Sequence, residues 1–218
     1  MYIMLGTHPD LAHAVGMLSR FSSNPSPTHL KAMLRTFGYL QNTNDTALCF
    51  KKANEPSSIL WFTDVDWAGD NSDARSTSGY VFFLSEAAFS WSSKKQDVTA
   101  SSTMESEYTG LYYATLNAAW LYMLMDQIGF QVSSPINILC DNQAAIDIVN
   151  GGEISHKCSK HMNVKFHRVR DHIRLNETSV TKVDTKFNIA DQFTKVLPKD
   201  RFSVLSDSLG FHPTPDLP

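Results

Sequence analysis

The sequence predicts a mixed α/β fold: a five-stranded mixed sheet flanked by helices and preceded by a helical hairpin. Three observations lead there. Short apolar, aromatic runs of strand length stand at 59–63, 80–84, 88–91 and 136–140, bounded by turn residues. Segments with helical spacing lie between and after them, the longest from about 103 to 128. Strands followed by helices in this alternation build a sheet with βα units.

The elements follow in order. Pro9 suits the first helical position with Asp10 in the first turn, and the helix runs to Phe21. Residues 22–27, rich in Ser, Asn and Pro, break it. A second helix begins with Ser26 as cap and Pro27 behind it, and Leu30, Met33, Leu34, Phe37 and Leu40 recur at helical spacing. A strand near 47–51 closes this first unit, 1–52. The main domain is 53–211, with a tail at 212–218. Its first strand, 59–63, runs into Asp64-Val65-Asp66, and its fourth, 136–140, into Asp141. Asn142 caps a short helix that Gly151-Gly152 stops. Met162, Phe166, Val169 and Ile173 mark an amphipathic helix. Residues 180–183 form the fifth strand, and helices begin at Asn188 and Asp200.

Composition excludes several classes. The 218 residues are 42% hydrophobic, which rules out a disordered chain and suits one domain with an appendage. Nineteen Lys and Arg against 22 Asp and Glu rule out a uniformly basic binder, so any nucleic-acid contact comes from a local patch. Three cysteines, Cys49, Cys140 and Cys158, suit a reducing, intracellular setting. Residues 1–5 are too short and uncharged for a signal peptide. The most apolar run, 110–125, carries Thr115 and Asn117 and falls short of the roughly 20 residues of a membrane span, so no membrane partner is expected.

Asp64 and Asp141 each follow a strand, and ligands of open α/β sheets gather beyond the carboxyl ends of strands. Two acids delivered there repel unless something positive lies between them. A pair of divalent cations held by carboxylates, magnesium or manganese by ligand hardness, meets that need and serves phosphodiester cleavage. Singly, each acid has an ordinary role. Asp64, Asp66 and Asp141 suit turns, Asp191 completes a near capping box with Asn188, and Glu105 and Glu107 suit a helix first turn. Glu105 and Glu107 point about 200° apart on a helix, and an apolar surface nearly all round leaves the choice open. Asp64 and Asp66 share a strand face.

Seven words carry a resemblance: Phe-Thr-Asp-Val-Asp-Trp-Ala-Gly-Asp (62–70), Arg-Ser-Thr-Ser-Gly-Tyr-Val-Phe (75–82), Ser-Trp-Ser-Ser-Lys-Lys-Gln (90–96), Ser-Ser-Thr-Met-Glu-Ser-Glu-Tyr (101–108), Cys-Asp-Asn-Gln-Ala-Ala-Ile (140–146), Lys-His-Met-Asn-Val-Lys-Phe-His-Arg-Val-Arg (160–170) and Ala-Asp-Gln-Phe-Thr-Lys-Val-Leu-Pro (190–198). In this order they resemble the ribonuclease H domain of copia-type long-terminal-repeat retrotransposon polyproteins. Residues 7–15 and 18–25 resemble the end of the reverse transcriptase that precedes it, without the palm and its catalytic aspartates. The resemblance implies a ribonuclease H-like fold and a four-carboxylate site of Asp64, Glu107, Asp141 and Asp191 holding two Mg2+ or Mn2+ ions. Asp64 and Asp191 would hold the ion that activates water. Asp64, Glu107 and Asp141 would hold the one near the leaving group. It also implies an RNA–DNA hybrid as substrate, a palm and fingers supplied by another chain, and a cytoplasmic virus-like particle or the nucleus as setting. Asn163, Asn42 and His8 depart from the family's usual acid, glycine and arginine, and the loop 185–188 lacks the histidine of cellular relatives.

Between 157 and 174 stand six Lys or Arg and one acid, Asp171. Lys160, Lys165, Arg168 and Arg170 are candidates for phosphate contact, with Lys94 and Lys95 as a second group. Asn142 and Gln143, beside Asp141, are candidates for reading the hybrid's 2′-hydroxyls. His156, Cys158 and His161 match no common zinc spacing. The expected activity is two-metal cleavage of the RNA strand of a hybrid. The alternatives are a silent or domesticated nucleic-acid-binding fragment and a nuclease of the same fold acting on branched DNA.

Overall fold

Trp61 and Phe62, side by side on one strand, are both buried, on opposite faces of a sheet. That strand, β2 (Leu60–Asp66), is therefore central. The computed structural model describes residues 1–51, 59–70, 73–130, 132–151 and 160–214, except the side chains of Lys160 and His161. Around β2 lie β3 (Thr77–Leu84), β4 (Ala87–Lys95), β5 (Ile136–Cys140) and β6 (Thr178–Lys182), in the order β4-β3-β2-β5-β6. The β2–β3 and β3–β4 pairs are antiparallel, and β2–β5 and β5–β6 are parallel. This is the five-stranded mixed sheet predicted from the sequence.

One face is covered by α4 (Thr103–Gln127), α5 (Gln143–Val149) and α6 (Lys160–Arg174). Trp61, Phe82, Ile138, Tyr108, Leu111, Phe166 and Val169 form its core. The predicted stripe on α6 holds: Met162, Phe166 and Val169 are buried and Ile173 packs at the edge. Asn142 caps α5 as predicted, its Oδ1 accepting from Ala145 N–H at 3.0 Å.

The other face is covered by both ends of the chain. Ala12, from α2 (Ala12–Ser19), packs with Phe62, Val81, Phe83, Ala190, Phe193 and Leu209. The Trp91 indole N–H donates to Met4 O, in α1 (Tyr2–Gly6), at 2.9 Å. Arg20 reaches Asp70 Oδ2 at 3.0 Å. β1 (Thr46–Leu48) pairs antiparallel with β7 (Phe211–Pro213), which the sequence pattern did not mark because three residues show no period. α3 (Pro27–Asn42) leads into β1, and α7 (Lys199–Asp207) leads into β7.

Several boundaries differ from expectation, each for a pairing reason. β2 continues past the apolar run because its ladder with β3 extends to Asp66↔Thr77, whereas its parallel ladder with β5 ends at Thr63↔Cys140. β3 begins at Thr77 for the same reason. β6 starts two residues early, since Thr178 pairs with Ile136 and is buried. The predicted helix from Pro9 to Phe21 is a 3-10 turn, Pro9–Leu11, followed by α2. Asp10 is not a solvated first-turn acid: it is buried and accepts from the Tyr39 hydroxyl of α3 at 2.5 Å. The predicted helix from Asn188 is a 3-10 segment, Ile189–Phe193. The predicted loop 54–58, Gly152, His156 and Cys158 lie outside the described residues.

The Asp10–Tyr39 bond fastens α3 to the chain start. Burial pushes the Asp10 carboxyl above its usual range, and the Tyr39 hydroxyl counters it. Tyr39→Phe removes that donor from a buried carboxylate and is expected to cost about 1–3 kcal/mol in urea unfolding. A loss within error would show that Asp10 finds another partner.

Candidate active site

The parallel ladder of β2 and β5 ends at Thr63 and Cys140, so Asp64 and Asp141 are the next residues on neighbouring strands. The Ile189–Phe193 segment packs over β2 and β3 and brings Asp191 to the same place. Asp64, Asp141 and Asp191 each offer a carboxylate oxygen within 4.8 Å of the others. Asp64 and Asp191 are buried and Asp141 is half-buried.

Local chemistry sets this placement. The Asn188 side chain is fully buried. Its Nδ2 donates to Thr63 O at 3.0 Å, and its Oδ1 accepts from Ala190 N–H at 3.1 Å. One side chain thus ties the start of the 3-10 segment to the residue before Asp64. Gly79, opposite Asp64 in the β2–β3 ladder, permits the close approach. A Cβ there would lie 2.6 Å from Phe193 Cβ and 2.7 Å from Thr194 Cγ2.

Glu107 comes from α4. One turn later in that helix is Gly110, where a Cβ would lie 2.4 Å from Val65 Cγ2, so the helix sits tightly on β2. Glu107 is buried, and its carboxyl is pushed up to about 8 by burial and then by the charges of Asp64 and Asp141, while a hydrogen bond with Asn142 opposes this. Glu105 points elsewhere: its Oε2 accepts from Ser101 N–H at 2.8 Å and Ser101 Oγ at 2.6 Å, beyond the N-terminal end of α4. Asp66 shares the β2 face of Asp64, but its carboxyl folds over Gly69 and is not among the converging oxygens of the described residues. Asp64 is pushed up to about 6 by burial, against the opposing pull of Lys195 and the Thr194 hydroxyl.

Positive groups and donors balance the acids. Lys195 Nζ lies 2.8 Å from Asp191 Oδ1 and 3.5 Å from Asp64 Oδ2. Arg201 pairs with Asp191 Oδ2 at 2.5 Å, and the Thr194 hydroxyl donates to Asp64 Oδ2. Lys182 Nζ donates to Asp141 O. Sequence reasoning had passed over Lys195, Thr194, Arg201 and Lys182. Only Lys195 had a signal, its i,i+4 spacing from Asp191. The donor set is all hard carboxylate oxygen, which fits a magnesium- or manganese-type ion.

The other candidates divide. Lys94, Gln143 and Arg168 are exposed. Lys95 is engaged by Asp70 at 2.6 Å and Asp73 at 2.8 Å. Lys165 donates to Thr109 Oγ1 at 3.0 Å and stands about 6 Å from the rings of Tyr112 and Tyr113. Arg170 donates twice to Ile148 O, at 3.2 and 2.6 Å. Asn142 is shared between its cap bond and Glu107.

A mixed sheet in this strand order, with acids at the carboxyl ends of its central parallel strands, defines a ribonuclease H-like domain. No protein-family model matches the chain. It is 36% identical over 212 residues to the retrovirus-related Pol polyprotein from transposon TNT 1-94 of Nicotiana tabacum, covering 97% of this chain and 16% of that one. It is 34% identical over 204 residues to the corresponding polyprotein from transposon RE2 of Arabidopsis thaliana, covering 94% and 14%. It is also 49% identical over 121 residues to the secreted RxLR effector protein 161 of Plasmopara viticola, covering 56% of this chain and 84% of that protein. The chain belongs to the family of retrovirus-related Pol polyproteins from transposons and spans about a sixth of their length. Among solved structures it is similar to LC11-RNase H1 in complex with RNA/DNA hybrid, at 15% identity and a TM-score of 0.47 over 63% of this chain and 94% of that one. It is also similar to the N-terminal RNase H domain of a Mycobacterium tuberculosis protein, at 12% identity and a TM-score of 0.45 over 70% and 98%.

Two predictions follow from the geometry. Gly79→Ala places a methyl group where the segment bearing Asp191 lies, so that segment must shift; a stability loss of about 1–3 kcal/mol is expected, read by thermal melting. Asp64 and Glu107 bind protons more tightly in the folded chain than unfolded carboxylates, which titrate near about 4. The metal-free folded state therefore holds extra protons between about pH 4 and pH 8, and stability falls as pH rises through that window. Urea unfolding should show a loss on the order of 5 kcal/mol from pH 5 to pH 8, at about 1.4 kcal/mol per pH unit for each acid that stays protonated. A flat profile would mean that neither acid is held protonated.

Proposed function

We propose that this chain is the ribonuclease H domain of a copia-type long-terminal-repeat retrotransposon polyprotein and cuts the RNA strand of RNA–DNA hybrids. Residues 53–211 form the nuclease, and 1–52 are the end of the reverse transcriptase packed against it. The observation that carries the reading is the convergence of Asp64, Asp141 and Asp191 to within 4.8 Å at the carboxyl ends of two parallel strands, with Glu107 buried beside them.

Asp64, Glu107, Asp141 and Asp191 would hold two Mg2+ or Mn2+ ions, which when bound supply a lowered water pKa and neutralise charge on the leaving oxygen. The chain's own part is to hold these carboxylates ready. Asp64 is fixed by the Thr194 hydroxyl and Asp191 by Arg201, so neither must reorganise to bind. Asn142, bonded to Glu107, orients that carboxylate from the cap of α5. Arg168 and Lys94, both exposed, are the candidates for contact with backbone phosphates of the hybrid. Gln143, also exposed and one residue beyond Asn142, is the candidate for contact with a 2′-hydroxyl. The products are a 3′-hydroxyl and a 5′-phosphate.

The test offers a labelled RNA–DNA hybrid, duplex RNA and duplex DNA with Mg2+ or Mn2+. Cleavage confined to the hybrid, lost by at least about 10³-fold in Asp64→Asn and in Asp191→Asn, is the expected result. Hybrid affinity in Asp191→Asn should stay within about threefold of the parent, since that carboxylate touches metal and not phosphate in this scheme. Binding without cutting in any metal would instead identify a silent nucleic-acid-binding fragment. Cutting of duplex or branched DNA would identify a different nuclease of the same fold.

A further inference from the structure

Resting on the metal-site reading above, we propose that Lys195 is a built-in counter-ion for the Asp64–Asp191 pair: its ammonium stands in for a divalent cation, and a cation must displace it to bind. Asp64 and Asp191 are 3% and 2% exposed and cannot turn to solvent for relief of their repulsion. Lys195 Nζ touches both, at 3.5 Å and 2.8 Å. The Lys195 side chain is 36% exposed, and it lines a cavity of about 460 Å³ between the 192–197 segment and the helices α2 and α3. Arg201 is about as exposed, at 31%, but it is also held by the Thr185 carbonyl at 2.8 Å.

The partners of the two acids are divided so that Lys195 is dispensable once a metal is present. Asp64 keeps the Thr194 hydroxyl on Oδ2, and Asp191 keeps Arg201 on Oδ2. Asp191 Oδ1 is the oxygen that faces Lys195. Removing the ammonium therefore frees a ligand atom without loosening either carboxylate. An ammonium and a divalent cation cannot share the space between two carboxylates, because like charges at contact distance repel strongly where water is scarce. Binding then competes with the Lys195-in state, and apparent affinity falls by the fraction of chains with Lys195 out.

The experiment measures Mn2+ binding to the full chain by electron paramagnetic resonance of the free ion, with thermal melting alongside. Lys195→Met should bind Mn2+ on the order of tenfold more tightly than the parent. It should melt lower without metal and gain more from added Mn2+ than the parent does. Lys195→Gln, which keeps a donor but not the charge, should behave likewise and covers the case of a Met variant that does not fold. Lys195→Arg, which keeps the charge, should not tighten binding. If both neutral variants bind Mn2+ no more tightly than the parent while Asp64→Asn abolishes binding, Lys195 is no competitor and the metal site stands. If neither the parent nor the neutral variants bind Mn2+, the metal site and this inference fall together.

Discussion

Repulsion among carboxylates confined in a small buried volume is the constraint around which the rest of the molecule is arranged. Three of them offer oxygens within 4.8 Å of each other, and a fourth lies close enough to feel two of those charges. Left unpaired, such a group would neutralise by taking up protons or would open the fold. A closed structure can instead raise carboxylate pKa values or pair the charges, and the chain does both. Asp64 and Glu107 hold their protons more tightly than an exposed acid, and Asp64 and Asp191 are given Lys195, Arg201 and Thr194 as partners.

Bringing the acids together is a matter of close backbone approach rather than of long side chains. Aspartate reaches only a short way, so the main chain has to come near. Two glycines allow this: Gly79 lets the segment after Asp191 rest on β3, and Gly110 lets α4 rest on β2. Asn188 then fixes the register of the last segment against the strand that carries Asp64. The result is a set of carboxylate oxygens held on strands and a packed turn, the kind of rigid support that metal-binding or catalytic groups require.

The two ends of the chain share in this support. Ala190 and Phe193, which flank Asp191, pack in the same apolar cluster as Ala12 from the first helices and Leu209 near the end. The pairing of β1 with β7 and the Asp10–Tyr39 bond hold the outer shell of that cluster. The segment resembling the end of a reverse transcriptase is thus packed on the same sheet face as the turn that presents the fourth acid.

Much of this was legible in the linear chain. Strand runs at 59–63 and 136–140, the stripe on α6 and the cap at Asn142 depend on neighbours a few residues away, and local pattern reports local physics. The positions of Asp64 and Asp141 just past apolar runs announced a shared strand end. The choice of Glu107 over Glu105 was not available from pattern, because α4 is apolar nearly all round and its facing is set by what it packs on. The extension of β2 to Asp66 and the existence of β7 depend on pairing partners, and neither leaves a periodic trace. Thr194 went unread for the same kind of reason: its hydroxyl meets a carboxylate 130 residues earlier in the chain, as Asn188 bonds a carbonyl 125 residues away. Hydrophobic periodicity and residue type settle which elements form and which acids are on offer. Which acids meet is settled by contacts between distant segments, since charge interactions between them act through space and leave no mark on spacing.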